Sequence, residues 1–300
     1  MAVRGRTTAS GVTFDIANYG FFVLLSLTFI YPFWTIITQS FAPIHAVQRM
    51  GFHVWPGEID TEAWNYVLDE HDVAPAYFNT IFRTVFGVLT TLLVTFTAAY
   101  ALSKPTLPWR KSLTLVYILT LFFSGGIIPL FLLIRGLGLF NTRAVLLMVP
   151  AINVFWIVLA RNYLMTIDQA MEDSAMIDGA TYWTVLVRII TPLARPVIAV
   201  VALFSAVQHW NSWFDALIYA PHPRLIVLQM LVFRMLTDLR SDWFIEYQEM
   251  MRQAGIDVEM FAAEAVQAAT IVLTIGPIIL VYPFLQRYFV KGVMLGSLKG

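Results

Sequence analysis

The sequence predicts an all-α polytopic membrane protein with six transmembrane helices. Hydrophobic residues make up 59% of the chain, charged residues only 13%, and the mean hydropathy is +0.72. Because soluble domains carry about 25% charged residues, this chain has too few charges for a soluble surface. Six apolar runs reach the roughly 20 residues that a helix needs to cross a bilayer: Ala17–Gln39, Ala76–Leu102, Leu113–Ile134, Ala144–Tyr163, Pro196–Ala220 and Ala265–Phe289.

The basic residues predict the orientation of these helices. Lysine and arginine are enriched in short cytoplasmic loops. If the N-terminus lies inside the cell, all four lysines, Lys104, Lys111, Lys291 and Lys299, fall on the cytoplasmic side. The first apolar run is long and no small-residue cleavage site follows it, so we interpret it as a retained signal anchor. A multi-pass protein of the cell membrane with both termini in the cytoplasm is expected.

Composition excludes several classes of function. The formal net charge is zero, which does not suggest a nucleic-acid partner. The absence of cysteine excludes disulfides, thiol nucleophiles and thiolate metal sites. No P-loop, catalytic triad or metal-ligand spacing is present, so the chain is predicted to be no enzyme, to bind no cofactor or metal, and to hydrolyse no ATP itself.

The chain divides into three predicted segments. Residues 1–75 contain the N-terminal tail, the first membrane helix and an outer loop. Residues 76–290 contain the other five membrane helices and a cytoplasmic loop over residues 166–192. Residues 291–300 form a cytoplasmic tail.

The loop that organises the chain is a predicted hairpin of two short helices over residues 168–192. Asp168 and Thr181 are suited to cap the first and second helix. Gly179 provides the positive φ of a turn after a helix, and Pro192 is expected to end the second helix. The hairpin has more apolar side chains than it can bury by itself, so we expect it to press against another protein.

This hairpin resembles the EAA loop of permease subunits of bacterial ABC importers. The family pattern is E-A-A, two residues, D-G-A, and further on I-x-x-P. Asp173 replaces the usual Glu, Ser174 the usual Ala, and Thr191 a common Leu. The resemblance implies a coupling helix that docks in a cleft on an ATPase subunit; the alternative is an ordinary cytoplasmic loop. The residues expected to couple to the ATPase are Asp173, Ser174, Ala175, Met176, Asp178, Gly179, Ala180, Ile189 and Pro192.

Two other stretches carry the resemblance further. Phe122–Pro129 with Leu137–Thr142 is similar to carbohydrate-specific permeases, and the tail Gln286–Gly300 resembles permeases of importers for larger plant or algal oligosaccharides. Similarity to the maltose-type second permease covers nearly the whole chain. It implies a type I ABC importer fold, a homologous second permease, two ATPase subunits that bind ATP and Mg, and an extracytoplasmic solute-binding protein. The implied substrates are oligosaccharides, and the implied subgroup of importers is the one for alginate or other uronate-containing oligosaccharides.

The fifth apolar run has the most polar and aromatic side chains. Gln208, Asn211 and Asp215 are spaced i, i+3 and i+7, which places them on one helix face. Such residues are costly in a membrane unless they face a cavity or a partner. Aromatic rings stack on sugars, although Trp213 and Tyr219 also suit an interfacial belt. The substrate-pathway candidates are Arg83, Asn153, Gln208, Trp210, Asn211, Trp213, Asp215 and Tyr219.

Two of these candidates have simpler alternatives. Asn153 is expected to hydrogen-bond a neighbouring helix, and Arg83 either reaches the headgroups or faces a polar cavity.

Small residues at Thr84, Gly87, Thr91, Thr95 and Ala98 predict close helix packing rather than a solute path. The interruption at Ser124–Gly126 points to a broken helix beside the translocation path.

The function predicted from these patterns is that of a permease subunit of an ATP-driven oligosaccharide importer. Two alternatives remain at this point. An ion-coupled secondary transporter would need a relay of intramembrane acids or histidines and internal repeats, and Asp215 is the only deep acid. A membrane assembly subunit without a solute path would not need the polar face of the fifth run.

Overall fold

The structure is a computed structural model that describes residues 9–43, 55, 57–69, 73–238, 250, 264–277 and 279. Within these ranges the regular structure is helical and contains no strand, which confirms the all-α prediction. The chain forms two compact units. The first contains Met1–Glu70 and Met235–Ile275, and the second contains His71–Arg234 and Gly276–Gly300.

The first unit is built on the long N-terminal helix α1 (Ala9–Gln39). The short helix α2 (Glu62–Asp69) follows it, and a further helix covers residues 264–277. Ala42, Val67 and Val266 belong to a small apolar cluster that joins these elements.

Ten helices longer than three residues begin in the described residues of the second unit. They are α3 (Val73–Ser103), α4 (Arg110–Phe122), α5 (Ile127–Gly136), α6 (Arg143–Ala151), α7 (Val154–Leu164), α8 (Ala170–Ile177), α9 (Tyr182–Leu193), α10 (Arg195–Asn211), α11 (Phe214–Tyr219) and α12 (Leu228–Asp238).

Helix α3 is the centre of the second unit. It packs against α10, α7 and α6. Its buried face contains a run of small and polar residues, whereas Leu89 and Leu93 on other faces are exposed. One apolar cluster joins the C-terminal part of α3 to α7, α9 and α10, and another joins α5 and α6 to α11 and residues 225–230. Because α9 and α10 share this buried cluster with α3, a movement of either helix changes its packing against α3.

Two helices are long and apolar enough to cross a membrane without a break. They cover Gly11–Gln39 and Val73–Ser103, in agreement with the first two predicted spans. Three helix pairs, α4 with α5, α6 with α7, and α9 with α10, pass the same criterion only together and are bent by 118°, 53° and 84°. The described residues thus hold at most five spans. The sixth predicted run, Ala265–Phe289, extends beyond them, as does the C-terminal tail, so six spans stay a prediction.

Three of the predicted runs are broken helices: Leu113–Ile134, Ala144–Tyr163 and Pro196–Ala220, the last of which breaks between Asn211 and Phe214. The expected interruption at Ser124–Gly126 turns the chain so sharply that α4 and α5 do not form one straight span across Leu113–Ile134. Gly126 has a φ of +85°, which a residue without Cβ adopts without strain. The run Ala144–Tyr163 breaks at the extended residues Ile152 and Asn153. At membrane depth, such breaks are tolerated where protein or a water-filled cavity satisfies the freed backbone groups.

Candidate functional site

A buried ion pair marks the break between α10 and α11. Arg83 of α3 is fully buried, with 0% of its surface exposed, and its guanidinium pairs with the carboxylate of Asp215. Arg83 Nη1 also donates to the carbonyl of Ser212 at 3.1 Å, which satisfies backbone that the break leaves outside a helix. Arg83 therefore faces the protein interior and does not extend to the headgroups. Its charge is balanced where it lies, which a buried cation requires.

Two further polar side chains of α3 bind residues 224–228, which lead into α12. Asn79 Nδ2 donates to the carbonyls of Arg224 and Ile226, both at 2.9 Å. The hydroxyl of Thr80 accepts from the backbone amide of Leu228 at 2.8 Å. Sequence reasoning missed both residues. The available signal was their spacing, since they precede Arg83 by four and three residues on the same helix face.

A cavity of about 350 Å³ opens beside this ion pair. Gln208, Asn211, Trp213 and Asp215 line it, together with Ser212, Phe214 and the α6 residues Val149 and Pro150. The predicted single helix face is wrong, because α10 ends at Asn211 and Asp215 lies on α11. The break between α10 and α11 brings Gln208 and Asn211 into the same cavity lining as Asp215. Asp215 is the one charged residue in the lining, and Arg83 neutralises it.

The other pathway candidates lie outside the cavity lining. Tyr219 is buried in an apolar cluster and stacks on Phe131 with ring centroids 6.4 Å apart. The indole nitrogen of Trp210 is buried and has no hydrogen-bond partner among the described residues. Asn153 lies at the break before α7, and in the described part of the chain its side chain makes none of the predicted hydrogen bonds to a neighbouring helix. Nor do the described residues bring together three His, Asp or Glu side chains that could hold a metal ion.

The small-residue stripe of α3 forms a packing contact with α10. A Cβ placed on Gly87 would overlap the imidazole ring of His209, so only glycine allows this approach. The hydroxyl of Thr91 lies 3.3 Å from His209 Nε2, and Thr95 is fully buried. Thr84 and Ala98 are half-buried. The contact agrees with the prediction of close helix packing.

The predicted hairpin is present in the structure as α8, a turn and α9. The amide of Ala170 donates to Asp168 Oδ1 at 3.0 Å, and the amide of Thr184 donates to the hydroxyl of Thr181 at 3.3 Å. Gly179 has a φ of +84°, as the turn requires. The caps and the glycine turn are thereby confirmed.

Pro192 does not end the second helix of the hairpin. Helix α9 continues to Leu193, and the chain bends only before Arg195. The reason is a π-helical turn over Leu186–Ile190, in which the amide of Thr191 bonds back to the carbonyl of Leu186. This turn shifts the hydrogen-bond register just before Pro192, and a new α-helical turn begins at Thr191. Pro192 is the second residue of that turn, where its missing N–H is not needed.

The hairpin is fixed to the rest of its unit on one side. Val185, Leu186 and Ile190 of α9 are buried in the cluster with α3, α7 and α10. Four of the coupling candidates pack against the same cluster: Ala175, Met176, Ala180 and Ile189.

An ion pair fixes α8 as well. Glu172 is 8% exposed; it pairs with Lys104 and accepts a hydrogen bond from the hydroxyl of Tyr100 at 3.1 Å. Lys104 Nζ also lies 4.2 Å from the centroid of the Tyr100 ring. Sequence reasoning missed this group, because Glu172 precedes the matched motif and its burial depends on contacts distant in sequence.

The opposite side of the hairpin is uncovered. Ile177 is 87% exposed, and Tyr182 and Trp183 are more than half exposed. The coupling candidates on this side are Asp173, Ser174, Asp178, Gly179 and Pro192, all exposed. The hairpin thus presents an apolar and acidic outer surface, while its inner side is bound to α3, α7 and α10.

No family model matches the chain. It is similar to curated proteins over nearly its full length. It is 32% identical over 96% of its length to the polygalacturonan/rhamnogalacturonan transport system permease protein YtcP of Bacillus subtilis, which is covered to 98%. It is 36% identical over 98% of its length to Protein LplC of the same organism, which is covered to 97%.

A solved structure is similar as well. The chain superposes with a TM-score of 0.81 and 34% identity on a chain of a bacterial ABC transporter involved in the import of the acidic polysaccharide alginate. The match covers 95% of this chain and 99% of the other.

Proposed function

Because this chain belongs to the family of permease subunits of ABC sugar importers, we propose that it pairs with a homologous second permease and couples two ATPase subunits to solute movement. The chain is a transport permease for oligosaccharides, and its relatives are transport permeases rather than enzymes. An extracytoplasmic binding protein would deliver the substrate. ATP and Mg would be bound by the ATPase subunits, since this sequence has no P-loop. The bacterial inner membrane is the expected location, with both termini in the cytoplasm.

The observation that supports coupling is the two-sided character of the hairpin. Its inner side is held by the buried residues of α9 and by the Glu172–Lys104 pair, while its outer side is uncovered. A subunit that binds the outer side can therefore displace the hairpin only together with α3 and α10. Of these two helices, α3 carries Arg83, and α10 carries Gln208 and Asn211 of the cavity lining. Closure of the ATPase subunits would thus change access to the cavity as a rigid-body movement.

The cavity supports a substrate path for sugars. Gln208 and Asn211 provide amide donors and acceptors, and Trp213 provides an aromatic surface. Since Asp215 neutralises the charge of Arg83 and Ser212 accepts from its Nη1, Arg83 offers no free cation for a substrate carboxylate. We therefore expect this subunit to contact sugar hydroxyls. The carboxylates of uronate-containing oligosaccharides, such as alginate or polygalacturonan fragments, would be bound by the other subunits.

The importer is tested by uptake into proteoliposomes that contain the complete complex. Labelled oligosaccharides should enter only with ATP and Mg on the ATPase side and binding protein on the other side. Ionophores that collapse ion gradients should leave this uptake unchanged. Uptake that continues without ATP and follows a proton or sodium gradient would instead identify a secondary transporter.

A further inference from the structure

A second cavity lies at the hairpin end of the second unit, away from the residues discussed above. Its volume is about 720 Å³, and it is formed between the start of α4 and the last turn of α7. Three cations line it, Arg110 and Lys111 from α4 and Arg161 from α7, and no carboxylate is in the lining. We call this cavity the basic pocket.

The charges of the basic pocket are not neutralised by the described part of the chain. Arg161 Nε donates to the carbonyl of Leu102 and Nη1 to Asn162 Oδ1, both at 3.1 Å. Arg110 Nη2 lies 3.4 Å from the sulfur of Met165. These partners are uncharged, so they orient the guanidinium groups but leave both charges unpaired. Three cations around one cavity repel one another unless an anion lies among them.

The apolar part of the lining continues from the charges along α4. Leu115 and Ile118 follow Lys111 by four and seven residues, which places them on one helix face. Trp109 is 81% exposed beside the cations. Tryptophan is enriched at the headgroup level of membranes, where its ring contacts both apolar and polar groups. The pocket therefore has a cationic end at this interface and an apolar wall along a predicted membrane helix.

We propose that the basic pocket binds an anionic phospholipid. The phosphate lies among Arg110, Lys111 and Arg161, and an acyl chain lies along Leu115 and Ile118. Basic pockets between membrane helices on the cytoplasmic side recognise anionic headgroups in this way. A soluble phosphate would use the same three cations but would leave the apolar wall without a role.

Photo-crosslinking of the complete importer tests this site. The complex is reconstituted in phosphatidylcholine vesicles that contain a photoactivatable phosphatidylglycerol, and labelled peptides are quantified by mass spectrometry. We expect labelling of the peptide that spans residues 109–118. In the variant Arg110→Gln/Lys111→Gln this labelling should fall at least fivefold, since each cation near an anionic headgroup contributes about fivefold in affinity. The variant Arg188→Gln/Arg195→Gln removes two other exposed cations and should retain it.

Three results would overturn the proposal. Equal labelling of the peptide in the wild type and in the pocket variant would mean that the cations do not select the lipid. Equal labelling by a photoactivatable phosphatidylcholine would mean that the pocket does not distinguish an anionic headgroup from a zwitterionic one. Loss of labelling on addition of inorganic phosphate at millimolar concentration, at constant ionic strength, would identify a site for soluble anions.

Discussion

Arg83 and Asp215 form an ion pair between two elements that are 132 residues apart in sequence, and the pair lies where the fifth apolar run is broken. Its position explains both the break and the cavity. The guanidinium satisfies the carbonyl of Ser212 and one oxygen of the carboxylate, so backbone that the break frees has a hydrogen-bond partner. Arg83 Nε and Asp215 Oδ1 are buried without a partner among the described residues. Because Arg83 neutralises Asp215, the carboxylate that lines the cavity is balanced without a further cation in the lining.

Removal of one partner of this pair should be far more damaging than removal of both. Asp215→Asn leaves a buried, unpaired guanidinium, which costs about 3–5 kcal/mol in comparable buried pairs. The double variant Arg83→Gln/Asp215→Asn has no unpaired charge and should recover much of that loss. Thermal unfolding of the purified complex measures both effects. Strictly additive losses would show that the two side chains do not depend on each other.

A methyl group at Gly87 should separate α3 from α10. Gly87→Ala places a Cβ 2.3 Å from Cε1 of the His209 ring, which is buried and cannot rotate away without further shifts. We expect a loss of about 1–3 kcal/mol in stability, typical of overpacked cores. Gly136→Ala is the matched control, since nothing lies within 4 Å of a Cβ there. Equal unfolding temperatures for the two variants would contradict the close contact.

Neutralisation of Glu172 should loosen the hairpin. Glu172→Gln keeps a hydrogen-bond acceptor for Tyr100 but removes the charge that pairs with Lys104. The expected cost is about 1–3 kcal/mol, and more ATP should be hydrolysed for each sugar imported. The exchange Glu172→Lys/Lys104→Glu restores opposite charges and should recover part of the coupling. If the ratio of ATP to sugar stays that of the wild type in Glu172→Gln, the pair does not position the hairpin.

The sequence predicted the parts of this molecule that depend on local chemistry. The capped helices and the positive φ of Gly179 follow from residue types at fixed spacing, and the first two spans follow from unbroken apolar runs. Contacts between distant segments were not predictable in this way. The residues near Arg83 in sequence do not indicate that Asp215 is its partner. The sequence around Glu172 is that of an ordinary exposed helical acid, and only the folded structure shows its burial against Tyr100 and Lys104.

Two errors have a common cause. Pro192 was expected to end a helix, and Gln208 to Asp215 were expected to share one face. Both expectations assume a regular α-helical register. A π-helical turn accommodates Pro192, and the break at Ser212–Trp213 resets the register before Asp215. The break at Ser212 is satisfied by a hydrogen bond from Arg83, which is distant in sequence, so local residue patterns do not predict it.

Substitution of cavity residues should reduce uptake without uncoupling the ATPase. Asn211→Leu removes an amide that lines the cavity, and the loss of one hydrogen bond of about 1–1.5 kcal/mol corresponds to roughly tenfold weaker transport. Asn153→Leu makes the same change outside the lining and should have little effect. Initial uptake rates into proteoliposomes compare the two variants. If Asn153→Leu abolishes uptake and Asn211→Leu does not, the substrate path does not run through this cavity.

The most direct test of the coupling proposal is stimulation of ATP hydrolysis by sugar-loaded binding protein in the reconstituted complex that carries Gly179→Pro. Proline fixes φ near −65° and removes an amide, whereas Gly179 has a φ of +84° and its amide bonds to Met176. Gly138→Pro is the control, because Gly138 also has a positive φ and bonds to the carbonyl three residues earlier. We expect Gly179→Pro to assemble and lose stimulation while Gly138→Pro keeps it. Unchanged stimulation in an assembled Gly179→Pro complex would contradict the role of the hairpin in coupling.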